Sequence, residues 1–231
     1  MKLQPIIAEP RRESYDVVIV GGAITGASVA CFLSSNPDFD GSVSVVEGAH
    51  SYEHSSTAHT NSCMRQQFSA ELNVRVSQFA ADFVKNLRGY MGGDERVPEL
   101  SIRSFGYMYL ADNDGFANVL RESLETQQAA GAATQLMTPA QIKAAYPFYN
   151  VDDVVLGSIN LVDEGYWDGS AVFDWWRRSS RDRGVEYLEN EVVAIERNAA
   201  GTLVESVTLK SGEVIRCGQL VNASGPRAAL T

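Results

Sequence analysis

The sequence has little positive charge and few cysteines. In 231 residues, 19 lysines and arginines stand against 29 acidic residues, so the formal net charge is −10. Nucleic acids and anionic membranes bind basic surfaces, and we therefore expect neither as a partner. Three cysteines, Cys31, Cys63 and Cys217, have no metal-binding spacing and cannot all pair. This cysteine usage favours a reducing, cytoplasmic compartment.

Long hydrophobic runs and metal motifs are missing as well. No apolar run approaches the length that spans a bilayer, so we expect no membrane span. The first residues lack the order of a signal peptide, and we expect residues 1–13 to be a short, partly disordered lead. His50 and His54 have H-x-x-x-H spacing, but they lie in a polar loop without the adjoining glutamate. We interpret them as two solvated histidines and predict no metal site.

The N-terminal region carries a strand, a glycine turn and a helix in succession. The apolar run Val17–Val20 predicts a strand buried on both faces, and a second strand, Val43–Val46, ends in Glu47. Glu47 follows the turn by about 20 residues, where dinucleotide folds place the acid that binds a ribose hydroxyl. The pyrophosphate is expected at the helix N-terminus. The predicted phosphate-binding residues are Gly21, Gly22, Ala23, Ile24, Thr25 and Gly26.

The turn departs from the usual glycine pattern at one position. Gly21 and Gly26 fill the first and third places of G-x-G-x-x-G, but Ala23 fills the second. The second glycine normally lets the backbone approach the phosphates closely. A methyl group there is either tolerated or weakens binding, and the sequence leaves both open.

The remaining pattern predicts further helices and a β-meander. Apolar spacing predicts helices over residues 69–90, from Asp114, over 138–145 and after Asp168. Leu72, Val76, Phe79, Phe83 and Leu87 share one face of the first helix. Strands are predicted at 103–111 and 154–162, and Glu186 with the charges of 177–183 is interpreted as a solvated helix face. A meander is predicted at 192–195, 203–210 and 214–217. Residues 220–226 are predicted as a last sheet strand that runs into a tight loop of small residues.

These elements predict an α/β fold with a discontinuous first domain. Residues 14–95 and 165–231 are expected to form a Rossmann-like domain with a parallel sheet and a β-meander. Residues 96–164 are expected to form part of an α+β substrate domain. In the strand predicted at 103–111, Arg103, Tyr107 and Tyr109 share a face, which is either a pocket wall or ordinary sheet packing.

The turn, the meander and the ending Val221-Asn222-Ala223-Ser224-Gly225 together resemble the D-amino-acid oxidase superfamily of FAD-dependent oxidoreductases. Within it, the segment 56–68 resembles the loop beside the flavin in the sarcosine- and dimethylglycine-oxidising branch. Gly165-Tyr166-Trp167-Asp168 is similar to the Gly-x-x-Asp helix opening of the family. The resemblance implies FAD as the cofactor. Family members continue past this point, so we expect this chain to be the N-terminal part of a longer flavoenzyme.

The resemblance also implies roles for individual residues. Glu47 matches the adenosine-ribose acid, and Arg65 is the predicted catalytic residue, which stabilises the flavin anion or anchors a substrate carboxylate. The other implied cofactor-binding residues are Ser56, Thr57 and Met64 along the pyrophosphate and flavin, Val192 at the adenine, and Asn222, Ala223 and Gly225 in the return loop.

The implied reaction is the oxidation of a small amine or an N-methyl or D-amino acid by hydride transfer to flavin N5. The electron acceptor stays open among oxygen, a quinone and a carrier protein. Two alternatives also stay open. One is an NAD(P)-dependent Rossmann dehydrogenase, because Glu47 alone fits that class too. The other is a non-catalytic flavin-binding assembly factor.

Overall fold

The computed structural model describes residues 3–229. The strands, in chain order, are β1 (Ile6–Ile7), β2 (Ser14–Val20), β3 (Val43–Glu47), β4 (Cys63–Met64), β5 (Tyr107–Ala111), β6 (Gln135–Met137), β7 (Leu156–Asn160), β8 (Gly165–Tyr166), β9 (Glu186–Glu189), β10 (Val192–Arg197), β11 (Val204–Leu209) and β12 (Val214–Asn222). The helices are α1 (Ile24–Ser35), α2 (Glu71–Lys85), α3 (Leu87–Tyr90), α4 (Asp114–Ala129), α5 (Pro139–Ala145) and α6 (Gly169–Asp182).

The chain divides into two compact units. Unit 1 comprises Met1–Thr60 and Ser170–Thr231, and unit 2 comprises Asn61–Gly169. The sequence placed the boundaries at 95/96 and 164/165 instead. Residues 61–95 cluster with unit 2 because Phe68 and Val74 pack against Ala130 and Ala132. The assignment of cofactor binding to one unit and substrate binding to the other stays a prediction.

Unit 1 is built on a mixed sheet. Within residues 3–229 it has seven strands in the order β1-β9-β3-β2-β12-β11-β10. The five strands from β1 to β12 are parallel, and β10, β11 and the start of β12 form an antiparallel meander. Val20 pairs with both Val46 and Asn222, so these three strands end at the same edge. The α/β fold with a parallel sheet and a meander is therefore confirmed.

The core of unit 1 lies on both faces of the sheet. Tyr15, Val18 and Leu188 belong to one buried cluster with the meander strands, while Ile19 and Tyr187 belong to the other, together with Ala30 of α1. Side chains alternate across a strand, so consecutive apolar residues fill both clusters. This explains why the run Val17–Val20 identified a central strand.

Unit 2 contains a three-stranded antiparallel sheet in the order β5-β7-β6 and a short pair, β4-β8. Helix α4 buries Ala117 and Leu120 against Ala111 and Leu156 of the sheet. The predicted start of α5 is confirmed, because Thr138 and Gln141 form a reciprocal capping box. None of the described helices, in residues 3–229, is both long and apolar enough to cross a bilayer.

In unit 1, three predictions were wrong at places where the structure has strands. The expected disordered lead contains β1, which pairs with β9 at the sheet edge. Residues 214–217 and 220–221 belong to one strand, β12, since Gly218 lets the chain pass close to Asp16 without a turn. Glu186 lies on β9 rather than on a helix face, and it accepts a hydrogen bond from the Tyr15 hydroxyl.

The predicted apolar face of the helix at 69–90 is not its packed face. The predicted helix is divided into α2 and α3, and of the predicted face only Leu87, in α3, is buried. In α2, Leu72 and Phe79 are 72% and 59% exposed, whereas Val74, Ala81 and Val84 are buried. Both faces are apolar, and the buried one carries the smaller side chains, which let α2 pack closely. Periodicity identified the helix, but tertiary packing decided which stripe faces the core.

Candidate functional site

The glycine turn joins the end of β2 to the start of α1 at very close range. Gly21 has φ +93°, a conformation that favours glycine. A Cβ atom on Gly26 would lie 1.9 Å from the Gly21 carbonyl oxygen. The first and third glycines of the pattern are therefore required by backbone contact, which fixes the turn directly beneath the helix N-terminus.

The N-terminus of α1 has no side-chain cap from its own N-cap residue, Ala23. The Thr57 hydroxyl instead accepts a hydrogen bond from the Ile24 N–H at 3.2 Å. Ala23 has φ −69° and ψ −166°, so alanine costs no backbone strain there. The helix terminus keeps the N–H groups and the dipole that bind an anion, and Thr57 adds a hydroxyl beside them.

Glu47 is fixed at the carboxyl end of β3, where ligands of parallel sheets bind. Its Oε2 atom accepts a hydrogen bond from the Gly22 N–H at 2.8 Å, and its Oε1 atom accepts one from the Ala49 N–H at 3.1 Å. Each carboxylate oxygen keeps a second lone pair. Glu47 can therefore hold the turn in place and still accept a ribose hydroxyl.

The loop after β12 lies against the turn. The Ala223 N–H donates to the Val20 carbonyl at 2.8 Å, and a Cβ on Gly21 would come within 2.5 Å of the Ala223 carbonyl oxygen. Asn222 Oδ1 accepts hydrogen bonds from the N–H and the hydroxyl of Ser224. Gly225, with φ +59°, begins the short turn of 3₁₀ helix that follows. Of the predicted return-loop residues, Asn222 and Ala223 thus adjoin the glycine turn, while no contact with the turn places Gly225 there.

The other predicted cofactor residues are placed less directly. Val192 begins β10 and packs on the sheet core, and Ser56 is exposed. Met64 is buried in unit 2 against Ala81 and Val84. Their roles at a cofactor stay predictions.

The residues around the turn fit a dinucleotide cofactor. Gly21 and Gly26 leave a backbone surface without side chains. The N-cap residue of α1, Ala23, has no side chain that could cap the helix N-terminus. The carboxylate of Glu47 lies at the end of the neighbouring strand, β3. These are the donors and the acceptor that a pyrophosphate and a ribose need. Gly21 to Gly26, Glu47 and Thr57 are the residues that would hold the adenosine diphosphate part of FAD.

His50, beyond Glu47, is not the solvated histidine that the sequence predicted. Its Nε2 atom lies 3.3 Å from the Leu188 carbonyl oxygen, and its Nδ1 atom lies 3.0 Å from the Tyr52 hydroxyl. A carbonyl only accepts, so Nε2 carries the proton and Nδ1 accepts from Tyr52. Burial lowers the pKa of His50. His54, in contrast, is exposed beside Glu53.

We expect the burial of His50 to make unit 1 less stable at mildly acidic pH. The unfolded histidine takes up a proton near its ordinary pKa of about 6.5, while the folded one resists it, so stability falls as pH drops from about 7.5 to about 5.5. The free energy of unfolding is measured with urea at several pH values. In the His50→Gln variant, its decrease between about pH 7.5 and about pH 5.5 should be smaller than in the wild type. The His54→Gln control should keep the wild-type decrease, and an unchanged decrease in His50→Gln would contradict the assignment.

Arg65 of unit 2 stands among three aromatic rings. Its guanidinium carbon lies 4.9 Å from the ring centre of Phe68 and 5.7 Å from those of Tyr107 and Tyr109. Its Nε atom is buried with no hydrogen-bond partner among the described residues. We call Arg65 and these three rings the arginine box. The aromatic faces hold the cation, and the guanidinium still has an N–H group that can donate a hydrogen bond. Burial also raises the pKa of Tyr109.

Two of the three predicted pocket-wall residues belong to the arginine box. Tyr107 and Tyr109 begin and continue β5, and both rings face the same side. Arg103 does not share their strand, because β5 starts at Tyr107 and Arg103 forms an isolated bridge with Tyr166.

Sequence reasoning missed Glu164. This carboxylate is completely buried in unit 2, and it accepts hydrogen bonds from Gln66, Gln67 and Asn160. In the sequence it is one of several acids near a loop, 98 positions after Gln66, and no local pattern indicates its burial.

Two other concavities lie away from the turn. Open grooves of about 1100 and 530 Å³ share Arg12, Tyr15 and Ser42 at the amino end of β2. Ligands of parallel sheets bind at the carboxyl ends, so the turn rather than these grooves is the cofactor candidate. In the described part of the chain, no group of three or more histidine, cysteine or acidic side chains is arranged to hold a metal.

Several known proteins are similar to this chain. A family model described as FAD dependent oxidoreductase (DAO) matches residues 16–231. FAD-dependent oxidoreductase domain-containing protein 1 of Bos taurus is 32% identical over 92% of this chain and 48% of its own length. Sarcosine oxidase subunit beta of an Arthrobacter species is 26% identical over 91% of this chain and 52% of its own.

A solved structure gives the same result for the fold. L-proline dehydrogenase from P. horikoshii superposes with a TM-score of 0.75 and 26% identity over 94% of this chain and 55% of that chain. The chain thus spans about half the length of the relatives that it matches. The family match covers nearly all of the chain, and the glycine turn and the sheet topology agree with it. The chain therefore belongs to the family of FAD-dependent oxidoreductases.

Proposed function

We propose that this protein takes part in the oxidation of a small amine that carries a carboxylate, such as an N-methyl or D-amino acid. The observation that carries the proposal is the arginine box: a guanidinium with a buried, unpartnered Nε atom, held among three rings. A guanidinium in this state is matched chemically by a carboxylate, which accepts two parallel hydrogen bonds from it.

The residues of the box suit this role. The ring faces of Phe68, Tyr107 and Tyr109 stabilise the cation and restrict the side chain, so little freedom is lost when a carboxylate binds. The three rings are half-buried, and their apolar faces reduce the contact of the cation with water, which strengthens the charge interaction. Fixing the carboxylate fixes the position of the neighbouring amine and its C–H bond.

When bound, FAD would supply the oxidant, as an acceptor of the hydride from the C–H bond beside the amine. The chain's part is to bind and to orient. Gly21 to Gly26 would bind the pyrophosphate, Glu47 the ribose, and Arg65 the substrate carboxylate. The relatives named sarcosine oxidase subunit beta and L-proline dehydrogenase support an amino-acid substrate by analogy.

The proposal is tested with the visible spectrum of the purified protein under anaerobic conditions. We expect a flavin spectrum that is bleached by sarcosine, dimethylglycine, L-proline or a D-amino acid, but not by the corresponding amides. A flavin that no amine reduces would favour the non-catalytic flavin-binding alternative. A colourless protein that binds NAD(P)H would favour the dehydrogenase alternative, and either result would overturn the proposal.

A further inference from the structure

Unit 2 completely buries one carboxylate, that of Glu164. Glu164 has no exposed surface, and a buried carboxylate is costly unless hydrogen bonds and nearby charge compensate it. It lies between β7 and β8, at the end of the segment that follows Asn160.

Three N–H donors from different parts of unit 2 converge on this carboxylate. Oε1 accepts from the Gln66 backbone N–H at 2.6 Å and from Asn160 Nδ2 at 3.0 Å, and Oε2 accepts from Gln67 Nε2 at 2.9 Å. Two of the donors therefore come from the residues that directly follow Arg65. Burial raises the pKa of Glu164, against the opposing effects of these donors and of the Arg65 charge.

Gln67 extends the network to the strands of unit 2. Its Nε2 atom also donates to the Tyr107 carbonyl at 2.7 Å, and its Oε1 atom accepts from the Ser158 hydroxyl at 2.8 Å. The Gly106 N–H donates to the Glu164 carbonyl at 3.0 Å. Glu164 thus connects the chain after Arg65 to the start of β5, which carries Tyr107 and Tyr109.

We propose that Glu164 is a positioning residue for the arginine box: by holding the backbone of Gln66 and the side chain of Gln67, it fixes Arg65 among its three rings. It acts through Arg65 and does not touch the substrate. The consequence for carboxylate binding rests on the proposed function, whereas the effect on Arg65 itself does not.

The decisive variant is Glu164→Gln, which keeps the shape of the side chain. A carboxylate accepts at both oxygens, but an amide donates from one of its two ends. In one orientation of the amide, its NH₂ group faces the donors of Gln66 and Asn160. In the other orientation, it faces the donor of Gln67, so in both cases donor faces donor. At least one hydrogen bond of the network is therefore lost.

The first readout is hydrogen exchange of the Arg65 Nε–H group, followed by NMR of protein with ¹⁵N-labelled arginine. The signal is assigned by its absence in Arg65→Lys. We expect exchange to become at least about tenfold faster in Glu164→Gln, because the box opens more often. The Glu99→Gln control should leave the rate unchanged, since Glu99 is an exposed partner of Arg88. An unchanged rate in Glu164→Gln would overturn the proposal.

The second readout is ligand affinity, measured from the perturbation of the flavin spectrum by methoxyacetate and by methoxyacetamide, which carry no amine to be oxidised. We expect Glu164→Gln to raise the Kd of the carboxylate about tenfold and that of the amide little. In an Arg65→Met background the same change should have no further effect on the carboxylate. Equal weakening of both ligands, or an undiminished effect without Arg65, would mean a merely structural role and overturn the proposal.

The two proposals fail in different ways. If the wild-type protein does not distinguish the carboxylate from the amide, the proposed function fails, while the exchange rate still decides whether Glu164 fixes Arg65. If Glu164→Gln does not fold, Gln67→Met is used instead, because it keeps the carboxylate and removes the hydrogen bonds of Gln67 with Glu164, Tyr107 and Ser158. It should change both readouts in the same direction, and an absence of both changes would overturn the proposal.

Discussion

Replacing Gly26 with alanine is expected to reduce the FAD content of the purified protein below about a tenth of the wild-type value. The added Cβ would lie 1.9 Å from the Gly21 carbonyl oxygen and 3.2 Å from Ile19 Cγ2. Since the first of these atoms is backbone, the strain is not relieved by a side-chain rotation. Either the turn or the helix N-terminus must move, and both are needed for the pyrophosphate. The free energy of unfolding should fall by about 4 kcal/mol or more.

The matched control for this variant is Gly89→Ala. Gly89 lies in α3, and a Cβ there has no heavy atom within 4 Å. We expect its FAD content to be unchanged and its free energy of unfolding to stay within about 1 kcal/mol of the wild-type value, because alanine favours a helix. FAD content is measured from the flavin absorbance of protein of known concentration. A Gly26→Ala protein with full FAD content would refute the assignment of this turn as the phosphate site.

Replacing Arg65 with methionine is expected to raise the Kd of a carboxylate ligand about a hundredfold, which corresponds to about 2.7 kcal/mol. Methionine fills much of the same space among the rings but carries no charge and no donor. The affinity for the matched amide should change less than about threefold. Arg65→Lys should recover only part of the loss, because an ammonium has a point charge and no planar face for the rings. Titration of the bound flavin with each ligand gives these values.

A suitable control is Arg75→Met. Arg75 is an exposed partner of Glu71 on α2, so its loss should leave both affinities as they are. If Arg65→Met weakens the carboxylate and the amide to the same extent, Arg65 supports the structure of unit 2 and does not anchor the substrate.

The geometry of the glycine turn was predictable because its signal is local. The run before Gly21, the small residues of α1 and the acid that ends β3 lie within one short stretch, and the contact that requires glycine at Gly26 is made within it. The predicted start of α5 is correct for the same reason, since Thr138 and Gln141 are three residues apart. Local motifs encode the geometry that they form.

The remaining features depend on contacts between distant positions. Strand β9 was missed because the short sequence Glu186–Glu189 is half acidic, although Tyr187 and Leu188 are completely buried between strands from elsewhere in the chain. Arg65 was predicted and Tyr107 was considered, but nothing in the sequence places them together or links either one to Glu164. Those associations arise from sheet register and packing, which a single sequence does not display.

The sheet of unit 1 has a consequence for the order in which the protein folds during synthesis. Strands β2 and β3 leave the ribosome early, but their neighbours β12 and β9 are made only after residues 61–169. The first βαβ segment must wait with two unpaired strand edges, which are prone to wrong pairing, while residues 61–169 form a compact unit with buried clusters of their own. We therefore expect ribosome-stalled chains to acquire protease resistance in residues 61–169 before they acquire the ability to bind FAD.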